Sequence, residues 1–97
     1  MLIRETEDYH NSLIKIGRYF KEVDAEQGTA LFYEFPVYVD QAIAHIAKWP
    51  NSSQKYKKYT SRRVSIDKFN SYYLLYHYNE VEDILTLLEV RSYKQNY

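Results

Sequence analysis

The stretch YYLLYHY, residues 72–78, decides how this chain of 97 residues reads. It is a nearly continuous apolar and aromatic run of strand-forming residues, as expected of a central β-strand. Turn residues bound it: Asn70-Ser71 before, and Asn79 to Asp83 after. Beyond them lie two further strand-like segments. Residues 62–69 alternate, with Val64 and Ile66 on one face, and residues 84–90 (ILTLLEV) repeat the apolar pattern. Connections this short imply hairpins, so the C-terminal half predicts three antiparallel strands in sequence.

Toward the N-terminus the period changes from two to between three and four. Tyr9, Leu13, Ile16, Phe20 and Val23 form one apolar helical stripe, with Thr6 placed as its N-cap and Glu7 and Asp8 in its first turn. Asp24 and Gln27 have capping-box spacing and predict a second helix start. Its stripe runs through Phe32, Phe35, Val39, Ile43 and Ile46 to the Trp49-Pro50 stop. Pro36 lies inside it, and proline lacks an N–H, so a kink or a break into two pieces is expected there. Residues 1–4 suggest a short first strand. The expected class is α+β, in the order (β)ααβββ, with a helical hairpin packed on one face of an antiparallel sheet. Its length supports a single domain, residues 1–97.

Composition narrows the class further. Hydrophobic residues make up 45% of the chain and aromatics 18%, including twelve tyrosines, which is enough to fill a core and excludes a disordered chain. Without cysteine there is neither a disulfide framework nor a thiolate metal site, consistent with a reducing cytoplasm. His10, His45 and His77 lack close metal-ligand spacing, so no metal and no cofactor is expected. No basic region followed by an apolar core opens the chain, and no run approaches ~18 apolar residues, so it reads as soluble with no membrane partner. The net charge of zero hides a split: residues 1–47 carry four basic and eight acidic groups, residues 48–97 nine basic and five acidic. From Lys48 to Lys68, seven basic residues face only Asp67. Such asymmetry suggests a polyanion-facing side, although a solvated basic loop would look the same.

The element order and a set of soft motifs resemble the RelE/ParE toxin superfamily. The helix ending Ile46-x-x-Trp49-Pro50, the strand beginning Arg62-Arg63-Val64 with Lys68-Phe69 after it, the Tyr72 to Tyr76 strand, and the closing Val90-Arg91 carry the likeness along essentially the whole chain. The resemblance implies a toxin of a type II toxin–antitoxin pair, held by a cognate antitoxin, alone or in a homo-oligomer or heterotetramer. RelE-like members cleave mRNA on the ribosome without metal. ParE-like members poison DNA gyrase. A non-catalytic member acting by protein binding, and an unrelated small RNA-binding α+β module, stand as alternatives.

RNA cleavage of this kind needs cations at the scissile phosphate and groups to move protons. Arg91, Arg63 and Arg62 are the phosphate candidates, Arg91 first, since guanidinium engages phosphate bidentately. Arg62 and Arg63 occupy opposite faces of a strand, so one of the two is expected to point into a site. Glu89 is either a base or a strand residue paired with Arg91. Lys55, Lys57 and Lys58 interleave with Tyr56 and Tyr59, and together with Lys68 could hold and stack nucleic acid, or form an ordinary solvated loop. The tail SYKQNY offers Tyr93 but no histidine, a departure from the family's nuclease pattern that leaves proton transfer poorly supplied. His77 in the central strand reads as a packed residue.

Overall fold

The computed structural model of the chain describes residues 1–23, 26–55 and 61–94. Their elements are β1 (Leu2–Glu5), α1 (Glu7–Val23), α2 (Gly28–Lys48), β2 (Gln54–Lys55), β3 (Arg62–Ile66), β4 (Phe69–Asn79) and β5 (Ile84–Ser92). They form a five-stranded sheet in the order β1-β5-β4-β3-β2. The three long strands pair as the antiparallel succession expected. The sheet as a whole is mixed, because β1 joins the edge of β5 in parallel, Leu2 opposite Ile84 and Glu5 opposite Leu87.

The helices follow their local chemistry. The Thr6 hydroxyl accepts the Tyr9 N–H at 3.1 Å, capping α1 as its sequence position suggests. The same hydroxyl lies 2.9 Å from the carbonyls of Leu87 and Leu88, tying the helix start to β5. Helix α2 starts at Gly28, with Gln27 as its N-cap and no side-chain cap bond, and Asp24 lies outside the described residues. The two glycines sit where the helices meet: a Cβ on Gly28 would collide with the Phe20 carbonyl oxygen, and one on Gly17 would stand 2.9 Å from the Phe32 ring. Pro36 does not divide α2, which runs unbroken from Gly28 to Lys48. Its ring is exposed, so only a solvent-side backbone bond is forgone. The helix ends at Trp49, whose N–H reaches the His45 carbonyl.

The core lies between the hairpin and one sheet face. Tyr9, Phe20, Phe35, Val39 and Ile46 from the helices meet Ile66, Phe69, Leu74, Tyr76, Leu85, Leu87 and Val90. At one end Phe20, Phe35, Phe69 and Tyr72 form a nest of edge-on and tilted rings, with centroids from 4.9 Å (Phe35–Phe69) to 5.8 Å (Phe20–Tyr72). Val23, the last member of the predicted α1 stripe, is exposed instead.

The strands depart from local expectation at the β3–β4 turn, where the register also shifts between Ser65 and Ile66, and at a bulge in β5. The β3–β4 turn falls on Asp67-Lys68, not on Asn70-Ser71, which are already inside β4. Lys68 takes a positive φ of 68° there, a conformation that favours glycine. The second departure is a bulge: Leu75 faces Glu89 but the next residue, Tyr76, faces Leu87, so Leu88 is an extra residue in β5.

A candidate nucleic-acid interface on the open sheet face

Successive strand residues point to opposite faces, so the core assignments fix the other side. On β4 the even residues Tyr72, Leu74, Tyr76 and Tyr78 pack toward the helices, leaving Tyr73, Leu75 and His77 on the open face. On β5 the bulge changes parity. Leu85 and Leu87 face the core before it and Val90 after it, which turns Glu89, Arg91 and Tyr93 outward. Without the bulge, with Leu88 paired in the ladder, a regular strand burying Leu85 and Leu87 would aim Glu89 and Arg91 into the core.

The open face has a defined layout. One row runs Ser65, Tyr73, Arg91 across β3, β4 and β5, and the next runs Arg63, Leu75, Glu89. Arg91 Nη2 stands 3.0 Å from Glu89 Oε2, with both side chains about a quarter exposed. The Tyr73 and Tyr93 rings lie 4.6 Å apart, Tyr73 buried and Tyr93 43% exposed. The Arg63 guanidinium carbon is 5.4 Å from the Tyr93 ring centre and 5.8 Å from that of Tyr73, a cation–π geometry. The Tyr93 hydroxyl shares a 2.9 Å hydrogen bond with Ser65 Oγ.

Of the adjacent arginines, Arg63 belongs to this face and Arg62 does not. Arg62 lies opposite Tyr76 on the helix side, and its Nη1 donates to the Ser53 carbonyl at 2.8 Å. Beside it the Tyr76 hydroxyl donates to the Pro50 carbonyl at 3.0 Å, and burial raises the Tyr76 phenol above its usual range. The two bonds fasten the segment after α2 to the sheet. Lys68 is also elsewhere: its ammonium lies 2.7 Å from Glu34 Oε2 and 5.5 Å from the Tyr38 ring centre, both on α2. The hydrogen bond to Glu34 raises its pKa. The backbone of Lys55 forms β2, at the β3 edge opposite Arg62, while Tyr56, Lys57, Lys58 and Tyr59 lie outside the described residues.

The structure thus brings together Arg63, Glu89, Arg91 and Tyr93, and adds three residues that the sequence pattern did not single out for this site. Tyr73 and Ser65 seat Tyr93. His77 lies further along the same face, opposite Thr86, with its Nδ1 buried and without a hydrogen-bond partner. Strand alternation alone could have placed Tyr73 and His77 together; the continuous hydrophobicity of the run hid it.

Among the described residues no group of three or more His, Cys, Asp or Glu side chains could hold a metal ion, and no helix is long and apolar enough to cross a membrane. Along the edge of β5 an open groove of about 830 Å³ runs beside α1, lined by Ile16, Phe20, Leu31 and Phe69 among others.

Neither a family model nor a curated protein matches this sequence. In fold, the chain is similar to one in the crystal structure of the intact Escherichia coli RelBE toxin–antitoxin complex, with a TM-score of 0.60 and 9% identity over 97% of this chain and 98% of that one. It is likewise similar to a chain in the RelBE2 toxin–antitoxin complex of Mycobacterium tuberculosis, with a TM-score of 0.54 and 15% identity over 94% and 95%. With the β1-to-β5 order, the helical hairpin on one face and near-complete mutual coverage in place, the chain has the RelE-like fold.

Proposed function

We propose that this chain is the toxin of a toxin–antitoxin pair and acts on RNA through its open sheet face. The observation that carries the reading is the pair of guanidiniums, Arg63 and Arg91, set around the Tyr73–Tyr93 ring pair on the face that the helices leave uncovered. Guanidinium offers planar, charge-assisted hydrogen bonds to a phosphate, and an exposed aromatic ring beside it can stack an unpaired base. The fold neighbours come from toxin–antitoxin complexes, which supports a cognate antitoxin as the partner. An unrelated RNA-binding module would not account for that near full-length likeness. A soluble, cytoplasmic protein is part of the same reading.

The reaction proposed is metal-independent cleavage of mRNA. The ribose 2′-oxygen attacks the adjacent phosphorus, losing its proton to a base, as the P–O5′ bond breaks. The products are a 2′,3′-cyclic phosphate and a 5′-hydroxyl that gains a proton. Arg91 and Arg63 would stabilise the added phosphorane charge, the largest electrostatic demand of the step. Tyr93, whose hydroxyl shares a hydrogen bond with Ser65, is the residue assigned to proton transfer in this reading. Arg62 and Lys68 take no part, because each is committed to the helix side.

A second reading, a ParE-like or non-catalytic toxin that binds a protein target, is favoured by one observation: the carboxylate of Glu89 lies inside the cationic face. Inducing the chain without the product of an adjacent reading frame tests both. Growth arrest with new 5′ ends in primer extension, lost in Arg91→Ala, supports the nuclease. Arrest with intact mRNA and failed gyrase supercoiling supports the second reading. No growth arrest on induction refutes the toxin assignment.

A further inference from the structure

We infer that Glu89 is an internal competitor for anions: the free protein holds the Arg91 guanidinium in its own carboxylate, and a nucleic-acid phosphate binds by displacing it. The inference deepens the RNA reading of this face and rests on it. Glu89 and Arg91 lie two residues apart on one side of β5, 3.0 Å between Oε2 and Nη2. A carboxylate so placed occupies the oxyanion position that a phosphate would take. It also halves the excess positive charge of the cluster, since Arg63 and Arg91 are the cations here and Glu89 the one carboxylate in their rows.

The pair is not needed to aim Arg91. The Leu88 bulge and the pairing of Arg91 with Tyr73 already set the face from which its side chain projects. The pair is also reachable from solvent, since the two side chains remain 22% and 29% exposed on the uncovered face. The arrangement therefore offers Arg91 two alternative partners, Glu89 in the free protein and phosphate when RNA is bound. A ligand with a single weakly held charge loses to the carboxylate, whereas a backbone that also engages Arg63 and stacks on Tyr93 replaces it. Glu89 thus raises the threshold for a productive ligand.

The test compares the full chain with Glu89→Gln, Glu89→Ala and Arg91→Ala, using a fluorescent single-stranded RNA hexamer carrying 2′-O-methyl groups, which cannot be cleaved. Anisotropy is read from 50 to 200 mM salt. Both Glu89 variants are expected to bind about fivefold tighter at the lowest salt, the size of releasing one partly exposed charge-assisted bond. Their slope of log K against log salt should also steepen by up to ~0.7, because displacing Glu89 no longer returns a carboxylate to the counterion atmosphere. Unchanged or weaker binding by both Glu89 variants, with Arg91→Ala weakened, overturns the competitor role and makes Glu89 a positioning residue. Arg91→Ala binding as tightly as the parent overturns the RNA reading of this face, and the inference with it. Melting curves of each variant confirm that folded protein is compared.

Discussion

Replacing Ser12 with alanine tests how the unguarded edge of β5 is held. Strand β1 covers β5 only from Ile84 to Leu87, so residues 88–92 have no strand on that side. The Ser12 hydroxyl fills part of the gap: Oγ accepts the Val90 N–H at 3.0 Å and donates to the Tyr9 carbonyl at 2.7 Å. Ser12→Ala leaves a partly buried N–H without its acceptor, which costs about 1 to 2 kcal/mol. The lost bond to Tyr9 costs little, because a helical carbonyl already accepts from the next turn. Against these stands a gain of about 0.5 kcal/mol in helix propensity. The balance is a loss of about 1 kcal/mol, or roughly 4–8 °C in Tm for a domain this size. Hydrogen exchange followed by NMR gives the specific readout: the Val90 amide should exchange about tenfold faster relative to Leu74, its partner on β4. Ser12→Thr, which keeps the hydroxyl, should restore most of the protection. A Ser12→Ala protein with unchanged Val90 exchange and unchanged Tm would refute the edge assignment.

Strand parity, packing and charge give further expectations. Arg62→Ala should lower Tm by several degrees, through loss of a charge-assisted bond of about 1 to 2 kcal/mol to the Ser53 carbonyl, while leaving RNA affinity of the folded protein near that of the parent. Arg63→Ala should weaken binding of the 2′-O-methyl RNA hexamer; a reversed pattern between these neighbours would overturn the face assignment. Gly28→Ala should cost more than about 3 kcal/mol, because the added carbon meets the Phe20 backbone, whereas Gly17→Ala, meeting only a ring that can turn, should be near neutral once its helix-propensity gain of about 1 kcal/mol is counted. Urea denaturation separates the two. The Tyr78 hydroxyl donates to Asp83 at 2.7 Å and lowers that carboxyl's pKa. Its folded value lies below its unfolded one, so the stabilisation is present above the unfolded carboxylate range and is lost as pH falls through the folded value; Tyr78→Phe should flatten that acid-side dependence in melting curves.

Much of the fold was legible because it rests on local chemistry. The Thr6 cap, the Tyr9 to Phe20 stripe, the Trp49-Pro50 stop and the three long strands each come from a residue pattern that acts within a few positions. Features set by distant partners were not. The parallel seat of β1 depends on the free edge of β5, which no local pattern announces. The Asp67-Lys68 turn puts lysine where glycine is favoured, and its side chain reaches Glu34 and Tyr38, thirty or more residues earlier. Local signals pointed to Asn70-Ser71, whereas the turn falls between Ile66 and Phe69, which are both buried in the core and pair with each other.

The site depends still more on a non-local feature. The segment ILTLLEV reads as one apolar run, and nothing in its composition says that Leu88 is skipped by the ladder. Two demands conflict in it. Leu85, Leu87 and Val90 must all be buried, yet their spacing breaks the period of two. A regular strand could satisfy the first two by exposing Val90 and burying the Glu89–Arg91 pair, whose desolvation would cost several kcal/mol. The bulge satisfies all three leucine and valine positions and expels both charges. Packing thereby determines which face carries Arg91, and the cationic face is a consequence of the hydrophobic core rather than an addition to it. Deleting Leu88 should therefore leave a regular strand that still buries Leu85, Leu87 and Val90 and keeps Glu89 and Arg91 outward, so the ΔLeu88 protein should melt cooperatively and bind the 2′-O-methyl RNA hexamer. A ΔLeu88 protein that folds but no longer binds would show that the face of Arg91 is set by something other than the core.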